Sequence, residues 1–334
     1  MHAVVLVGGF GTRLRPLTYS IPKPLLPVGH VPLVERAIET LVAGGVTEVT
    51  LALGFKPEPF MERFPDSTCA GAQLHYAVEP EPLDTAGAIA FAARHSGINE
   101  TFVVANGDVL TDLNVADLVT FHRERGAQAT IHLIPVDDPS QYGVVETDGE
   151  GRVTRFVEKP QPGDTASRMI NAGTYVLEPS VIDLVPVGAR MSVEREVFPA
   201  IAATGRMYAM PADVYWIDAG RADTYLQANL DTINGNRRFK VHPVAESATV
   251  APDALIENSI ICAGATVEFG AKITNSVLLP GSYVATQSVV NQSTVMGCID
   301  PCCKVAHSMI GADGVVQAGS QIADALIPDP SKVS

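Results

Sequence analysis

The 334-residue chain reads as an α/β domain built on a mainly parallel sheet, followed by a stacked β-solenoid. Three observations predict this. An apolar run, Val4-Val5-Leu6-Val7, breaks into a glycine loop, Gly8-Gly9-Phe10-Gly11, as a buried strand does at its carboxyl end. Strand-like and helix-like stretches then alternate to about residue 235, the pattern of parallel strands joined by helical crossovers. Beyond that point, similar pentapeptides begin at Glu257, Thr274, Asn291, Ala306 and Ala323, in steps of 17, 17, 15 and 17 residues. Regular repeats of this kind stack coil upon coil, each burying its apolar positions against the next.

Composition narrows the class. Hydrophobic residues make up 46% of the chain and mean hydropathy is positive, which favours a buried core over disorder. The length allows two domains. Acids outnumber bases 37 to 23, for a net charge of −14, so neither nucleic acid nor an anionic membrane surface is expected as a partner. His2 leads into strand-like residues rather than a basic region and a long apolar run, which argues against a signal peptide. No apolar stretch approaches the ~20 residues of a membrane-spanning helix. Five cysteines, two of them adjacent at Cys302 and Cys303, lack metal-type spacing and read as free thiols. The expectation is a soluble, cytoplasmic protein.

Taken in order, the opening loop leads to Ile21-Pro22-Lys23-Pro24-Leu25-Leu26-Pro27, whose prolines stiffen the backbone around Lys23. Leu33, Val34, Ala37, Ile38, Leu41 and Val42 fall at helical spacing and Gly44-Gly45 stops them. Strands are expected over 46–53, 73–78 and 101–105, with a short helix near 58–64 and an alanine-rich helix over 85–94. A helix to residue 125, a strand over 129–136 and strand-like pieces at 143–146, 153–158 and 169–177 follow. Ser192 reads as the N-cap of a helix through Ala203, with Glu194 and Glu196 near its positive end. Tyr215-Trp216-Ile217-Asp218 reads as a strand end, and 222–233 as a closing helix that Asn234-Gly235-Asn236 terminates. The boundary is placed there, giving domains 1–235 and 236–334. In the second, charge thins out and six-residue steps such as Ile261, Val267, Ile273 and Leu279 mark the turns of each coil. This region resembles a left-handed β-helix of hexapeptide repeats; a sandwich of short strands is the weaker alternative.

The opening loop carries the strongest chemical signal. Residues 1–34 contain Arg13, Arg15 and Lys23 and no acid, within an acidic chain. Backbone N–H groups at a strand's carboxyl end can approach phosphates closely. The run Gly8-Gly9-Phe10-Gly11-Thr12-Arg13-Leu14-Arg15-Pro16-Leu17-Thr18 with Lys23-Pro24 resembles the signature of the sugar-1-phosphate nucleotidylyltransferases, particularly the guanylyltransferase branch acting on mannose 1-phosphate. Later motifs occur in that family's order through most of residues 1–235. The resemblance implies a Rossmann-like nucleotidyltransferase domain, and an enzyme that joins an NTP to a sugar 1-phosphate and releases pyrophosphate. Two anions must meet and a third must leave, so such a site supplies positioning and charge neutralisation.

What the resemblance implies residue by residue follows that chemistry. Leu6, Gly8, Gly9, Gly11 and Thr12 would cradle the triphosphate. Arg13 would stabilise the leaving pyrophosphate, and Lys23 the α-phosphate. Arg15 reads equally as a second phosphate ligand or as a surface ion-pair partner. Glu79-Pro-Glu-Pro-Leu83-Asp84-Thr85-Ala86-Gly87 resembles the base-reading segment. A carboxylate at Glu79 suits the N1–H and amino group of guanine, and would oppose the carbonyls of uracil or thymine. The alternative for Glu79 is an exposed acid before a turn. Asp84 stands where the family usually has Gly, a departure that matters if the backbone there needs a positive φ; Thr85 and Ala86 complete the nucleotide segment, with Gly107. Asp108, after Asn106-Gly107, and Asp218, in Trp216-Ile217-Asp218-Ala219-Gly220, match the family's metal-binding aspartates and imply Mg2+. The segments around Gly143, Glu158-Lys159-Pro160 and Asn171-Ala172-Gly173 resemble the sugar-phosphate site. Lys159 would hold the attacking phosphate, Glu158 would accept from sugar hydroxyls, and Asn171 with the backbone at Gly143 and Gly173 would complete the contacts. His2, His75, His95 and His122 form no ligand-like group.

The expected reaction is transfer from GTP to mannose 1-phosphate, giving GDP-mannose, by metal-assisted in-line attack. The nearest alternative uses UTP or dTTP with glucose 1-phosphate. A different class, a catalytically silent subunit that binds nucleotide sugars, would be expected to have lost part of the set Arg13, Lys23, Asp108, Lys159 and Asp218, and all five are present. Hexapeptide helices also host acyltransferases, but His242 and His307 lack an acceptor-activating context. Structural use of the solenoid, with homo-oligomers formed through it, is the expectation.

Overall fold

A computed structural model describes residues 1–54, 57–161 and 163–329. Residues 330–334 of the expected solenoid domain lie outside the described residues. The chain forms two compact units, Met1–Gly9 with Val34–Trp216, and Phe10–Leu33 with Ile217–Ser334.

The first unit is organised by a ten-stranded mixed sheet. Its parallel heart has the spatial order Phe102–Asn106, His2–Leu6, Glu48–Leu53, Ala72–Val78. Met169–Leu177 continues the sheet antiparallel to Phe102–Asn106, followed by Gly143–Thr147 and Val153–Glu158. Ala129–Pro135 also pairs with Met169–Leu177, and carries Met207–Pro211 parallel to it. The strand order reverses between His2–Leu6 and Phe102–Asn106. Open α/β sheets bind ligands at the carboxyl ends of strands flanking such a reversal, and residues 8–9 and 107–108 leave the sheet there. The helix Asp84–His95 is rich in alanine because it must lie close to the strands: Ala86, Ala88, Ala90, Ala92 and Ala93 share one buried cluster with Val4, Ala52 and Ala77.

The expected helix after Ser192 has a different beginning. Residues Val193–Val197 make a wide π turn before the α-helix Phe198–Ala203. Pro199 has no N–H for an ordinary i→i−4 bond to Arg195, and Phe198 N instead donates to Val193 O. Ser192 caps as expected, its hydroxyl accepting from Arg195 N at 3.2 Å.

In the second unit, residues 10–33 form three short 3₁₀ turns, Thr12–Leu14, Leu17–Tyr19 and Lys23–Leu25, and a hairpin of Pro27–Val28 with Val31–Pro32. Leu14, Leu17 and Leu26 are fully buried. The helix Ala222–Asn234 holds this segment in place: Tyr225 Oη donates to Pro27 O at 2.6 Å, and Asn229 Oδ1 accepts from Gly29 N at 3.1 Å. Fifteen short strands then stack into three parallel five-stranded sheets, the left-handed β-helix expected from the repeats and not a sandwich. Val267, Val284, Ile299 and Val316 stack in one column of its core, and Ile261, Leu278, Val295 and Ile310 in another. A serine ladder runs alongside, in which the hydroxyls of Ser259, Ser276, Ser293 and Ser308 each accept the backbone N–H one coil on. At the corners Asn258, Asn275, Gln292, His307 and Asp324 take positive φ, one per coil. Small polar side chains tolerate that conformation best. Among the described residues no helix is long and apolar enough to cross a membrane.

Candidate active site

In the second unit the glycine loop is shaped around its cations. Gly11 sits at φ 58, and a Cβ there would lie 3.0 Å from Thr18 Cγ2 and 3.1 Å from Lys23 Cβ, so neither the backbone nor the space admits a side chain. Thr18 Oγ1 donates to Gly11 O at 2.8 Å, and Leu14 N donates to the same carbonyl. The turn this closes leaves Arg13 exposed beside buried Leu14. Lys23, by contrast, is buried, and its Nζ lies 3.7 Å from Asp218 Oδ1. Gly220 is the focus of the group. A Cβ on Gly220 would stand 2.7 Å from Asp218 Oδ1, 2.9 Å from Lys23 Nζ and 3.0 Å from Arg13 Nη2. Two cations and a carboxylate thus meet over Gly220, in space that a side chain there would take. Arg15 lies over the Tyr19 ring, 5.1 Å from its centroid.

In the first unit the nucleotide residues expected from sequence surround the strand ends. Gly8 approaches Gly54 backbone to backbone, with its Cβ position 3.7 Å from Gly54 N, and Gly9 takes φ 109. Gly107 N donates to Leu6 O at 2.9 Å, and a Cβ there would meet Val7 Cγ1 at 2.7 Å. Asp108 follows at the carboxyl edge of Phe102–Asn106. Glu79 is buried rather than exposed, and its Oε2 accepts from Leu83 N at 2.9 Å, which closes the base segment on itself. Desolvation pushes its carboxyl above the ordinary range, and the Leu83 bond opposes this only partly.

Asp84 does take a positive φ, of 60. Its carboxylate offsets the conformation locally: Oδ1 accepts from Thr85 N, and Oδ2 pairs with Arg195 Nη2, both at 2.8 Å. Residues 191–195 brace the whole segment. Met191 O accepts from Ala86 N and Gly87 N, Met191 N donates to Leu83 O, and Thr85 Oγ1 donates to Glu194 Oε2 at 2.7 Å. Ala86 is therefore buried with its N–H already used.

The residues expected at the sugar phosphate lie along the antiparallel strands of this unit. Gly143 pairs with Glu158, and a Cβ on Gly143 would meet Glu158 Oε2 at 2.9 Å. Desolvation, then the charge of Glu194, raises the Glu158 carboxyl. Lys159 is exposed just past the strand end, at φ 49 and directly before Pro160. That conformation is disfavoured twice over, and strain of this kind gathers at functional positions. Asn171 accepts from Gly173 N and donates to Tyr175 Oη, both at 2.9 Å. Gly173, at φ 76, leaves room for Asn106.

The residues that sequence reasoning passed over are Gly220, Glu194 and Arg195. Gly220 was visible in the tripeptide after Ile217, but nothing local shows that three side chains point at it. Glu194 is 109 residues from Thr85, and no spacing rule joins them. As to a metal, the donors on offer are single hard carboxylates at Asp108 and Asp218, the latter facing the open point over Gly220. Among the described residues no three or more His, Cys, Asp or Glu side chains gather into a self-sufficient metal site. Each of the two aspartates is a hard oxygen donor of the kind a divalent cation takes alongside phosphate oxygens and water.

Removing the Glu79 charge tests its burial. A carboxyl whose folded pKa is raised stabilises the fold below its unfolded pKa, and that contribution is lost as pH rises through the folded pKa. Glu79→Gln protein should therefore melt no lower than wild type at pH 7, with its relative advantage shrinking toward pH 4. A thermal-melt series across that range checks this; a wild type that gains relative stability as pH rises contradicts it.

Comparison with known proteins places the two regions. Residues 2–235 match the family described as Nucleotidyl transferase, and residues 243–333 match the GlmU-like, C-terminal hexapeptide family. The mannose-1-phosphate guanylyltransferase of Mycobacterium tuberculosis is 38% identical over 302 residues, covering 87% of this chain and 83% of that protein. Mannose-1-phosphate guanylyltransferase 1 of Arabidopsis thaliana is 36% identical, covering 88% and 86%. Among solved structures, HddC from Yersinia pseudotuberculosis is 29% identical with a TM-score of 0.59, covering 68% of this chain and 97% of that one. A putative glucose-1-phosphate thymidylyltransferase from Bacillus anthracis is 23% identical with a TM-score of 0.62, covering 72% and 97%, and shares the fold.

Proposed function

The chain belongs to the nucleotidyl transferase family, which generally uses a divalent metal, and from that premise we propose that it transfers a guanylyl group from GTP to mannose 1-phosphate, releasing pyrophosphate and forming GDP-mannose. The observation that carries the reading is the convergence of Arg13 Nη2, Lys23 Nζ and Asp218 Oδ1 on the open point above Gly220. A point held by two cations and a carboxylate suits phosphate oxygens with a shared cation. Similarity to curated guanylyltransferases and a carboxylate at Glu79 favour guanine. With its Oε2 anchored by Leu83 N, the Glu79 carboxylate keeps acceptor capacity that suits guanine N1–H and the amino group.

In this reading the backbone around Leu6, Gly8, Gly9, Gly11, Thr12 and Gly107 holds the triphosphate, with Asp84, Thr85 and Ala86 shaping the base segment. Lys159 steadies the attacking phosphate, while Glu158, Asn171, Gly143 and Gly173 orient the sugar. Attack on the α-phosphorus moves negative charge toward the departing pyrophosphate, where Arg13 donates, and Lys23 screens the α-phosphate. We assign Asp108 and Asp218 as metal-ligating carboxylates and Mg2+ as the cation; when bound, it supplies neutralisation of phosphate oxygens that lowers the repulsion between the reactants. No covalent intermediate on the protein is needed.

Residues 1–235 are proposed as the catalytic domain and 236–334 as the β-helix domain. Exposed apolar side chains at Leu255, Phe269 and Leu326 support homo-oligomers formed through the β-helix, and five free cysteines suit a reducing compartment such as the cytoplasm.

A matrix of GTP, ATP, UTP and dTTP against mannose and glucose 1-phosphates, read by pyrophosphate release, tests the assignment. GTP with mannose 1-phosphate should exceed every other pair at least about tenfold in kcat/KM, the discrimination expected when a mismatched base leaves buried polar groups unpaired. Faster turnover of UTP or dTTP with glucose 1-phosphate would make the guanylyl assignment wrong.

A further inference from the structure

The β-helix has so far only a structural and oligomerising role, yet part of it meets the loop that carries Arg13 and Lys23. Residues 10–33 belong to the same compact unit as the solenoid. Gly311 is the informative residue. Its backbone is held by its own coils, since Gly311 N donates to Ile327 O at 2.7 Å and Gly314 N donates to Gly311 O at 2.9 Å. A Cβ on Gly311 would stand 2.9 Å from Pro16 Cβ, 3.0 Å from Pro16 O and 3.2 Å from Pro16 C. The three nearest atoms all belong to Pro16, which therefore sets the tightest limit on a side chain there. Gly314 makes the contrast, because a Cβ on it would meet Ile327 O and Ile310 Cγ2, both solenoid atoms. One coil before Gly311, Met296 Sδ accepts from Ser20 Oγ at 3.4 Å.

We infer that the solenoid is a positioning element for the phosphate loop, with Gly311 as its key residue and Met296 as a second support. Pro16 lies three residues after Arg13, and Ser20 three before Lys23, so both contacts fall within the stretch that the two cations bound. A third hold comes from Tyr225 and Asn229 at Pro27 and Gly29. Fixing the loop at these points keeps the Arg13 and Lys23 head groups aimed at the point above Gly220. Misplacement of such groups by about 1 Å can cost on the order of 100-fold in rate. The inference rests on the proposed role of this loop on the pyrophosphate side of the reaction.

The test is Gly311→Val in the full-length chain, with Lys304→Ser, an exposed substitution elsewhere on the solenoid, as control. Three quantities are read: kcat in the forward direction, KM for pyrophosphate in the reverse direction, and hydrogen exchange of peptides spanning residues 11–26. Gly311→Val should lower kcat at least about tenfold and raise KM for pyrophosphate, with KM for the sugar phosphate within about twofold. Exchange at the Leu14 and Leu26 amides, which close the two turns, should quicken at least about fivefold. Lys304→Ser should change none of these. If Gly311→Val does not fold, Gly311→Ala and Met296→Leu are read for the same directions at smaller size. Folded Gly311→Val protein with turnover within twofold of wild type and unchanged exchange over 11–26 overturns the inference. If wild type itself turns over no NTP with any sugar 1-phosphate, the functional reading fails instead, and loop exchange alone decides the positioning role.

Discussion

Replacing Arg13 with Ala is expected to lower kcat about 100- to 1,000-fold while leaving the fold intact. The magnitude is that of removing one preorganised donor from a developing anion, about 3–4 kcal/mol of transition-state stabilisation. The selectivity follows from where Arg13 sits. Its neighbours Leu14 and Leu17 are fully buried and hold the turns, whereas Arg13 is exposed with its Nη2 aimed at the point above Gly220. Steady-state kinetics by pyrophosphate release, paired with a thermal melt, separate the two effects. Turnover near the wild-type level at saturating substrates would remove Arg13 from the chemistry. Lys in its place should recover only part of the rate, because a point charge lacks the guanidinium's paired donors.

The second large effect concerns a residue with no side chain at all. Gly220→Ala should reduce turnover about 100-fold yet melt at or slightly above the wild-type temperature. The added methyl would lie within 3.0 Å of Asp218 Oδ1, Lys23 Nζ and Arg13 Nη2. All three are ends of flexible side chains, so they move aside and the fold survives. Gly220 has no positive φ, and alanine there reduces the freedom of the unfolded chain, typically a gain of about 0.4–1 kcal/mol. Loss of activity with retained stability is thus the signature of space kept clear so that the three polar groups can meet. Equal activity would mean that the three side chains do not act at that point, whereas a large drop in Tm would make Gly220 a packing residue.

Legibility in the sequence followed the distance over which each feature is determined. Arg13, Lys23 and Gly11 were readable because loop, prolines and cations lie within a dozen residues of one another. The positive φ of Asp84 was foreseeable from the glycine usual at its position, but not its pairing with Arg195 across 111 residues. The solenoid showed in its period, down to the step that shortens from 17 to 15 residues where Tyr283 meets Cys298. Strand direction was harder. Gly143–Thr147 and Met169–Leu177 are buried along most of their length like the parallel strands, and Val153–Glu158 shows no clean alternation, so the pattern that marks an antiparallel sheet with one solvated face is missing from the flank. The burial of Glu79 was hidden because acids before turns are mostly exposed, and the π turn at Val193–Val197 depends on what Pro199 cannot donate.

The placement of residues 10–33 also bears on how the chain matures as it is made. The groups that fix these residues are synthesised much later than the residues themselves: Tyr225 and Asn229 about 200 positions on, and Met296 276 positions after Ser20. Contacts so distant in sequence form late, after their loop-closure entropy has been overcome. The first strands can pair while the rest of the chain is still emerging, since domains begin folding from the N-terminal side during synthesis. The segment of residues 10–33 cannot be completed at that stage. A nascent chain therefore carries Arg13, Arg15 and Lys23 on an unfinished segment until the coils that hold Met296 and Gly311 are stacked.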